Sequence, residues 1–236
     1  MPFFFPDDEE CHDGLVEDDK LMQSCHLVDI STVFEGFSFA IHNLRILTLH
    51  TPQTPIRVYD NLTRLEIFGT EGLKEELIGL DLVFRHTTAL QSLSLVGWFV
   101  ADLFSFFPTN SSQSLPHLTS FRLSMETHVV SLPTECIWAL CQFLKDRPLL
   151  RSLYIRVPVS WHQIVCQLLP TIQDLVGLEV LGFHTGYNLV DEDDIGLLAQ
   201  ALSPKLKALH LAINWGGSNL LPLVYFLSER DYIQLT

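Results

Sequence analysis

Hydrophobic positions recur along this chain in one six-residue pattern: apolar, two variable, apolar, one variable, apolar. It reads Leu44, Leu47, Leu49, then Leu62, Leu65, Ile67, then Leu90, Leu93, Leu95. It continues as Leu118, Phe121, Leu123, as Leu150, Leu153, Ile155, as Leu178, Leu181, Phe183, and as Leu206, Leu209, Leu211. The steps between the seven starts are 18, 28, 28, 32, 28 and 28 residues. Scattered leucines would give scattered spacings, so four equal steps mark a repeated structural unit. The alternation is that of a β-strand, whose successive side chains face opposite sides. The fourth and sixth positions then point together into a core. The third, fifth and seventh point to the opposite face of the sheet.

After each strand the apolar period lengthens from 2 to about 3.6, which predicts a helix. Leu73, Leu77, Leu80 and Phe84 share one helical face, as do Ile137, Leu140, Cys141 and Leu144. Trp161, Val165 and Leu168 form the next, followed by Ile195, Leu198, Ala199 and Leu202, and by Leu220, Leu223, Val224 and Leu227. One strand–helix unit cannot bury its own apolar face, so units must stack, parallel strand beside parallel strand.

Start and stop signals fit these units. Thr134 and Ser160 are candidate N-caps. Pro148 and Pro204 lie just past two helical patterns, and Pro170 is expected to end or kink the helix that follows Ser160. Asp191 to Asp194 suits a helix N-terminus, where carboxylates meet the positive end of the dipole. The 18-residue unit holds Pro52 and Pro55 and has room only for an extended crossover. The unit from Leu90 offers a short apolar stretch, Leu103 to Phe107, and then a polar loop, Thr109 to Ser114. The extra residues of the 32-residue unit are expected between Met125 and Pro133.

This pattern resembles the leucine-rich repeat family, in particular its helix-containing, ribonuclease-inhibitor-like class. The unit from Leu178 carries the resemblance best, with Leu178, Leu181 and Phe183 followed by Asp191 to Leu202. The resemblance covers residues 44 to about 229. It implies an α/β fold: a leucine-rich repeat solenoid of about seven repeats, a curved parallel sheet on its concave side and helices on its convex side. One departure is plain. The family places Asn or Cys at the ninth position. Here that position holds Pro52, Thr70, Trp98, Glu126, Pro158, Gly186 and Asn214. Degenerate units of this kind also resemble, in style, the repeat regions of fungal F-box proteins.

Two regions are expected: residues 1–40, an acidic N-terminal tail and cap segment, and residues 41–236, the repeat domain. Asp7, Asp8, Glu9, Glu10, Asp13, Glu17, Asp18 and Asp19 read as a solvated tail. The apolar positions from Leu27 to Ile41 suit a cap, and Leu27, Ile30 and Thr32 could form a decayed repeat. No F-box-like helical module is visible in residues 1–43. A further repeat falls due near residue 234, where Tyr232, Ile233, Gln234 and Leu235 stand. Either a fragment or a poor terminal cap is expected there.

Composition narrows the function. Apolar residues make up 47% of the 236 and charged residues 18%, the balance of a folded chain. The formal charge of −14 disfavours broad nucleic-acid binding. No apolar run is long enough to cross a bilayer, and the apolar start, Met1 to Pro6, lacks the basic region of a signal peptide. Five cysteines at irregular spacing suit reduced thiols in the cytoplasm or nucleus.

No catalytic, metal or cofactor site is expected. His162 and Cys166 are four apart on a predicted helix, yet two ligands do not make a zinc site, and a core or half-buried role is expected for them. Cys141 reads as a small core residue. Cys11-His12-Asp13 holds the residue types of a thiol hydrolase, but adjacent residues in an acidic tail cannot form the spatial triad. The outward strand positions are more telling. They carry Arg64, Glu66, Arg122, Tyr154, Arg156, His184 and His210, and Arg and Tyr are residue types enriched at binding hot spots. The expectation is a non-enzymatic protein-interaction module whose concave face takes a protein partner, an acidic one among the options. The resemblance to F-box proteins implies the substrate-recognition part of a ubiquitin ligase receptor, with ligase components as partners only if an F-box lies elsewhere. A free-standing repeat scaffold or inhibitor is the alternative, and a thiol hydrolase the alternative of another class.

Overall fold

In a computed structural model, the described residues are 45–49, 60–69, 78–98, 101–108, 114–126, 132–145, 147–190, 192–215 and 234–235. They all belong to one unit, Phe39–Thr236. The strands are β1 (Ile46–Leu49), β2 (Arg64–Gly69), β3 (Ser92–Trp98), β4 (Ser120–Glu126), β5 (Ser152–Arg156), β6 (Val180–Val190), β7 (Ala208–Trp215) and β8 (Gln234–Leu235). They form one open α/β sheet in strict chain order, every pair parallel.

The register reproduces the sequence spacing. Ile46 pairs with Arg64, Arg64 with Ser92, Ser92 with Ser120, Ser120 with Ser152, Ser152 with Val180 and Val180 with Ala208. Each of these is the third position of its unit. The last pairing differs from expectation. Leu209 pairs with Leu235, so the first position of that unit is residue 232 rather than 234. A bulge between His184 and Leu189 lets β6 and β7 run on past the repeated pattern.

Ahead of every strand from β1 to β6, the carbonyl of the second position accepts two N–H groups from the next unit. Thr63 O accepts from Gln91 and Ser92, Gln91 O from Thr119 and Ser120, and Arg151 O from Glu179 and Val180, all at 2.7–2.9 Å. Each strand from β3 to β7 is also entered through a tight turn closed on the first-position leucine. Leu118 N–H donates to Leu115 O, Leu150 N–H to Arg147 O and Leu206 N–H to Ser203 O, each at 3.1 Å. Pro116, Pro148 and Pro204 occupy the second position of those turns, where a fixed φ is an advantage. Pro148 and Pro204 therefore start strands as much as they stop helices.

The helices are α1 (Ile78–His86), α2 (Thr134–Leu144), α3 (Trp161–Gln163), α4 (Leu169–Gln173) and α5 (Glu192–Ala201), with a 3₁₀ turn at Ala101–Phe106 and a π turn at Ile164–Leu168. Neighbours in the chain pack on one another: the 3₁₀ turn on α2, α2 on the π turn, α4 on α5. Their apolar faces share one core with the fourth and sixth strand positions. Leu65, Leu93, Leu95, Leu123, Leu153, Ile155 and Leu181 are all fully buried, as are Leu80, Ile137, Leu140, Leu168 and Leu198. Burying each such side chain favours the fold by about 1.5–3 kcal/mol before entropy is counted. Where the unit from Leu90 has only the 3₁₀ turn, Phe104 and Phe107 fill the space. Phe107 stacks on Phe143 (centroids 4.9 Å) and meets Phe84 and Phe121 edge-on.

Three local expectations are corrected. Thr134 is the first helical residue of α2, not its cap; Pro133 precedes it with φ −56° and ψ 149°, and no side chain caps the helix. Ser160 does cap α3: its Oγ accepts from Gln163 N–H at 3.3 Å, and Gln163 Oε1 accepts from Ser160 N–H at 2.9 Å. The helix does not end at Pro170. It runs on to Gln173 through the π turn of residues 164–168, which widens the coil just before the proline. Proline's missing N–H and its ring's clash with the carbonyl four residues back are the reason a regular helix cannot pass there. His162 and Cys166 are exposed rather than half-buried, with Sγ and Nδ1 at 3.5 Å. Pro52, Pro55, Leu73, Leu77, the 109–113 part of the polar loop, the insertion after Met125 and the Leu220–Leu227 face lie outside the described residues.

Candidate functional site

Parallel, in-register pairing turns each repeated position into a row across the sheet, with neighbouring strands about 4.8 Å apart. The third-position row reads Ile46, Arg64, Ser92, Ser120, Ser152, Val180, Ala208. The fifth reads Thr48, Glu66, Ser94, Arg122, Tyr154, Gly182, His210. The seventh reads Phe68, Val96, Ser124, Arg156, His184, Ala212. All three rows lie on the face opposite the core. Their side chains are exposed or half-buried, except Ser124, which is buried, and Gly182.

The centre of this face is built by three residues on β4, β5 and β6. The Tyr154 ring lies close against Gly182: a Cβ added to Gly182 would come within 2.1 Å of Tyr154 Cδ2. Arg122, on the other side, places its guanidinium carbon 5.0 Å from the centre of the Tyr154 ring. Cation–π attraction of this kind contributes about 0.5–1 kcal/mol at an exposed site. Glycine in a strand interior weakens the strand unless something approaches it closely, and here the tyrosine ring does.

Beside this stack stand Arg156 and His184, paired in register. The imidazole of His184 titrates below its ordinary range, first because it is partly desolvated and second because Arg156 is a like charge. Ser94 Oγ is buried next to Arg122 and has no hydrogen-bond partner among the described residues. Of the expected site residues, Arg122, Tyr154, Arg156 and His184 thus come together on adjacent strands. Arg64 and Glu66 lie on β2, two strands from Arg122, and His210 lies on β7 beyond Gly182.

Sequence reading missed Gly182 and the serines as parts of the site. The signal was available, since a step of 28 sets residue 154 beside residue 182. It also missed an ion-pair ladder at the second positions. Glu179 accepts from Arg151 Nη1 and Lys207 Nζ, both at 2.8 Å, and its carboxyl is held below the ordinary range chiefly by the Lys207 hydrogen bond. These groups are solvent-exposed, and such pairs contribute little to stability.

The helical side holds less. An open groove of about 670 Å³ is lined by Cys141, Lys145, Arg147, Thr171 and Asp174, among others. Arg147 is buried there as a staple between units: Nε donates to Phe143 O at 2.6 Å, and Nη1 donates to Ser114 O and Leu115 O at 3.2 Å. Burial pushes its pKa down to about 10. Burial also pushes the Cys141 thiol up, which weakens it as a nucleophile. Among the described residues no group of three His, Cys, Asp or Glu side chains could hold a metal ion, and no helix is long and apolar enough to cross a membrane. The chain matches no model of a known protein family, and no curated protein matches it significantly.

Proposed function

We propose that the parallel strands form a leucine-rich repeat solenoid of the ribonuclease-inhibitor-like class, with the sheet on its concave side, and that this face docks a protein. The observation that carries the reading is the Gly182–Tyr154–Arg122 stack on the outward face of the sheet. A strand glycine, a tyrosine ring packed against it and a guanidinium beside that ring form a stack on the side of the sheet away from the core. Such an arrangement suits recognition, where Tyr and Arg anchors supply most of the binding energy. In this reading the module acts by binding.

Affinity capture with the full chain tests this. Wild type and the Arg122→Glu/Arg156→Glu variant, each shown to be folded by its melting curve, are compared by quantitative mass spectrometry. Proteins captured by wild type should be lost from the variant, because each reversed anchor weakens binding about tenfold or more. Capture at equal strength by both would remove the face from consideration.

A further inference from the structure

The surroundings of Arg122 say what kind of group the face receives. In the pleat, its nearest same-face neighbours are Ser120 and Ser124 on its own strand, Ser94 on β3 and Tyr154 on β5. The diagonal positions add Ser92, Val96, Ser152 and Arg156. The chain as a whole has 28 acidic and 14 basic residues. Yet this patch of nine positions holds two arginines, five serines and no acid. Among the described residues no carboxylate pairs with Arg122. Arg122 is exposed, and its guanidinium carbon lies over the Tyr154 ring at 5.0 Å from its centre, a contact that restricts the side chain before a partner arrives. A planar fork of this kind matches a carboxylate through two parallel N–H···O bonds. On the adjacent strand, the buried Oγ of Ser94 has no hydrogen-bond partner among the described residues.

We propose that Arg122 is the carboxylate receptor of the docking face, and that the partner presents an acidic, Asp- or Glu-bearing segment to it, with Arg156 as the second cation. This rests on the docking reading above and names the chemistry of its partner. The chain's net charge of −14 repels any anion at long range, so the carboxylate is held by short-range contacts with the two guanidiniums and not by the overall field of the chain.

The test uses the full chain and three short labelled peptides in fluorescence anisotropy at low salt: alternating Glu and Ser, the same with Gln for Glu, and the same with phosphoserine for Glu. The Glu peptide should bind about tenfold tighter than the Gln peptide, and binding should weaken as salt rises. Arg122→Gln should lose about tenfold, and Arg122→Lys should recover only part, since it keeps the charge without the fork. Tyr154→Phe should bind like wild type because the ring platform remains, while Tyr154→Ala should lose affinity. Equal binding of Glu and Gln peptides, full affinity in Arg122→Gln, or tighter binding of the phosphoserine peptide would each overturn the carboxylate assignment. If the acidic peptide fails while captured proteins still depend on Arg122 and Arg156, the docking face stands and only its chemistry is wrong. If both fail, the face itself falls.

Discussion

Gly182 and Tyr154 make one unit out of two residues 28 positions apart. The glycine alone would weaken its strand, and the ring alone would lack a floor. Gly182→Ala must therefore push the ring aside, since a Cβ would lie 2.1 Å from Cδ2. In wild type the change should destabilise by about 1 kcal/mol through lost packing and lost cation–π contact. In a Tyr154→Ala background the same change should be neutral or favourable by about 0.5–1 kcal/mol, because alanine costs less backbone entropy than glycine. A double-mutant cycle by urea unfolding reads the difference. Additive effects would mean that ring and glycine do not cooperate.

At the level of elements, the strands were readable because period two, repeated at a constant step, admits one register, and pairing follows it from Ile46 to Ala208. The outward strip followed from the same alternation, so Arg122, Tyr154, Arg156 and His184 could be placed on one face. Their mutual geometry could not. It depends on ring and guanidinium rotamers, and on neighbours that bury Ser124 to 4% although its position points outward. Helix ends were harder. Ser and Thr both read as caps, but a threonine directly after a proline is already inside the helix. Ser160→Ala should cost about 1 kcal/mol. Gln163→Ala should cost more, since Gln163 Nε2 also donates to Leu132 O at 2.9 Å in a buried site. Thr134→Ala, by contrast, should fall within about 0.5 kcal/mol of wild type, as surface substitutions do. Thermal and urea unfolding of the three variants checks the order. The π turn before Pro170 had no signal in the apolar spacing. It is a backbone answer to a missing N–H and was visible only as a proline inside a helical pattern.

Across the whole molecule, each unit touches chiefly its neighbours, through the doubled hydrogen bonds to second-position carbonyls and through helices packed in chain order. Stability in such an array is close to a sum of unit and interface terms. The Phe84–Phe107–Phe121–Phe143 cluster joins the short 3₁₀ unit to the longer units on either side. The two surfaces of the array then have different tasks: the helical side carries the staple of Arg147, and the outward side of the sheet carries the arginines and tyrosine. The most direct measurement is photo-crosslinking from each side in turn. A photoreactive side chain replaces Ala212, exposed on the outward face at the flank of the patch, or Trp138, 54% exposed on α2. The account predicts protein adducts from position 212 that the acidic peptide competes away, and none from position 138. Adducts from position 138 with none from 212 would contradict it.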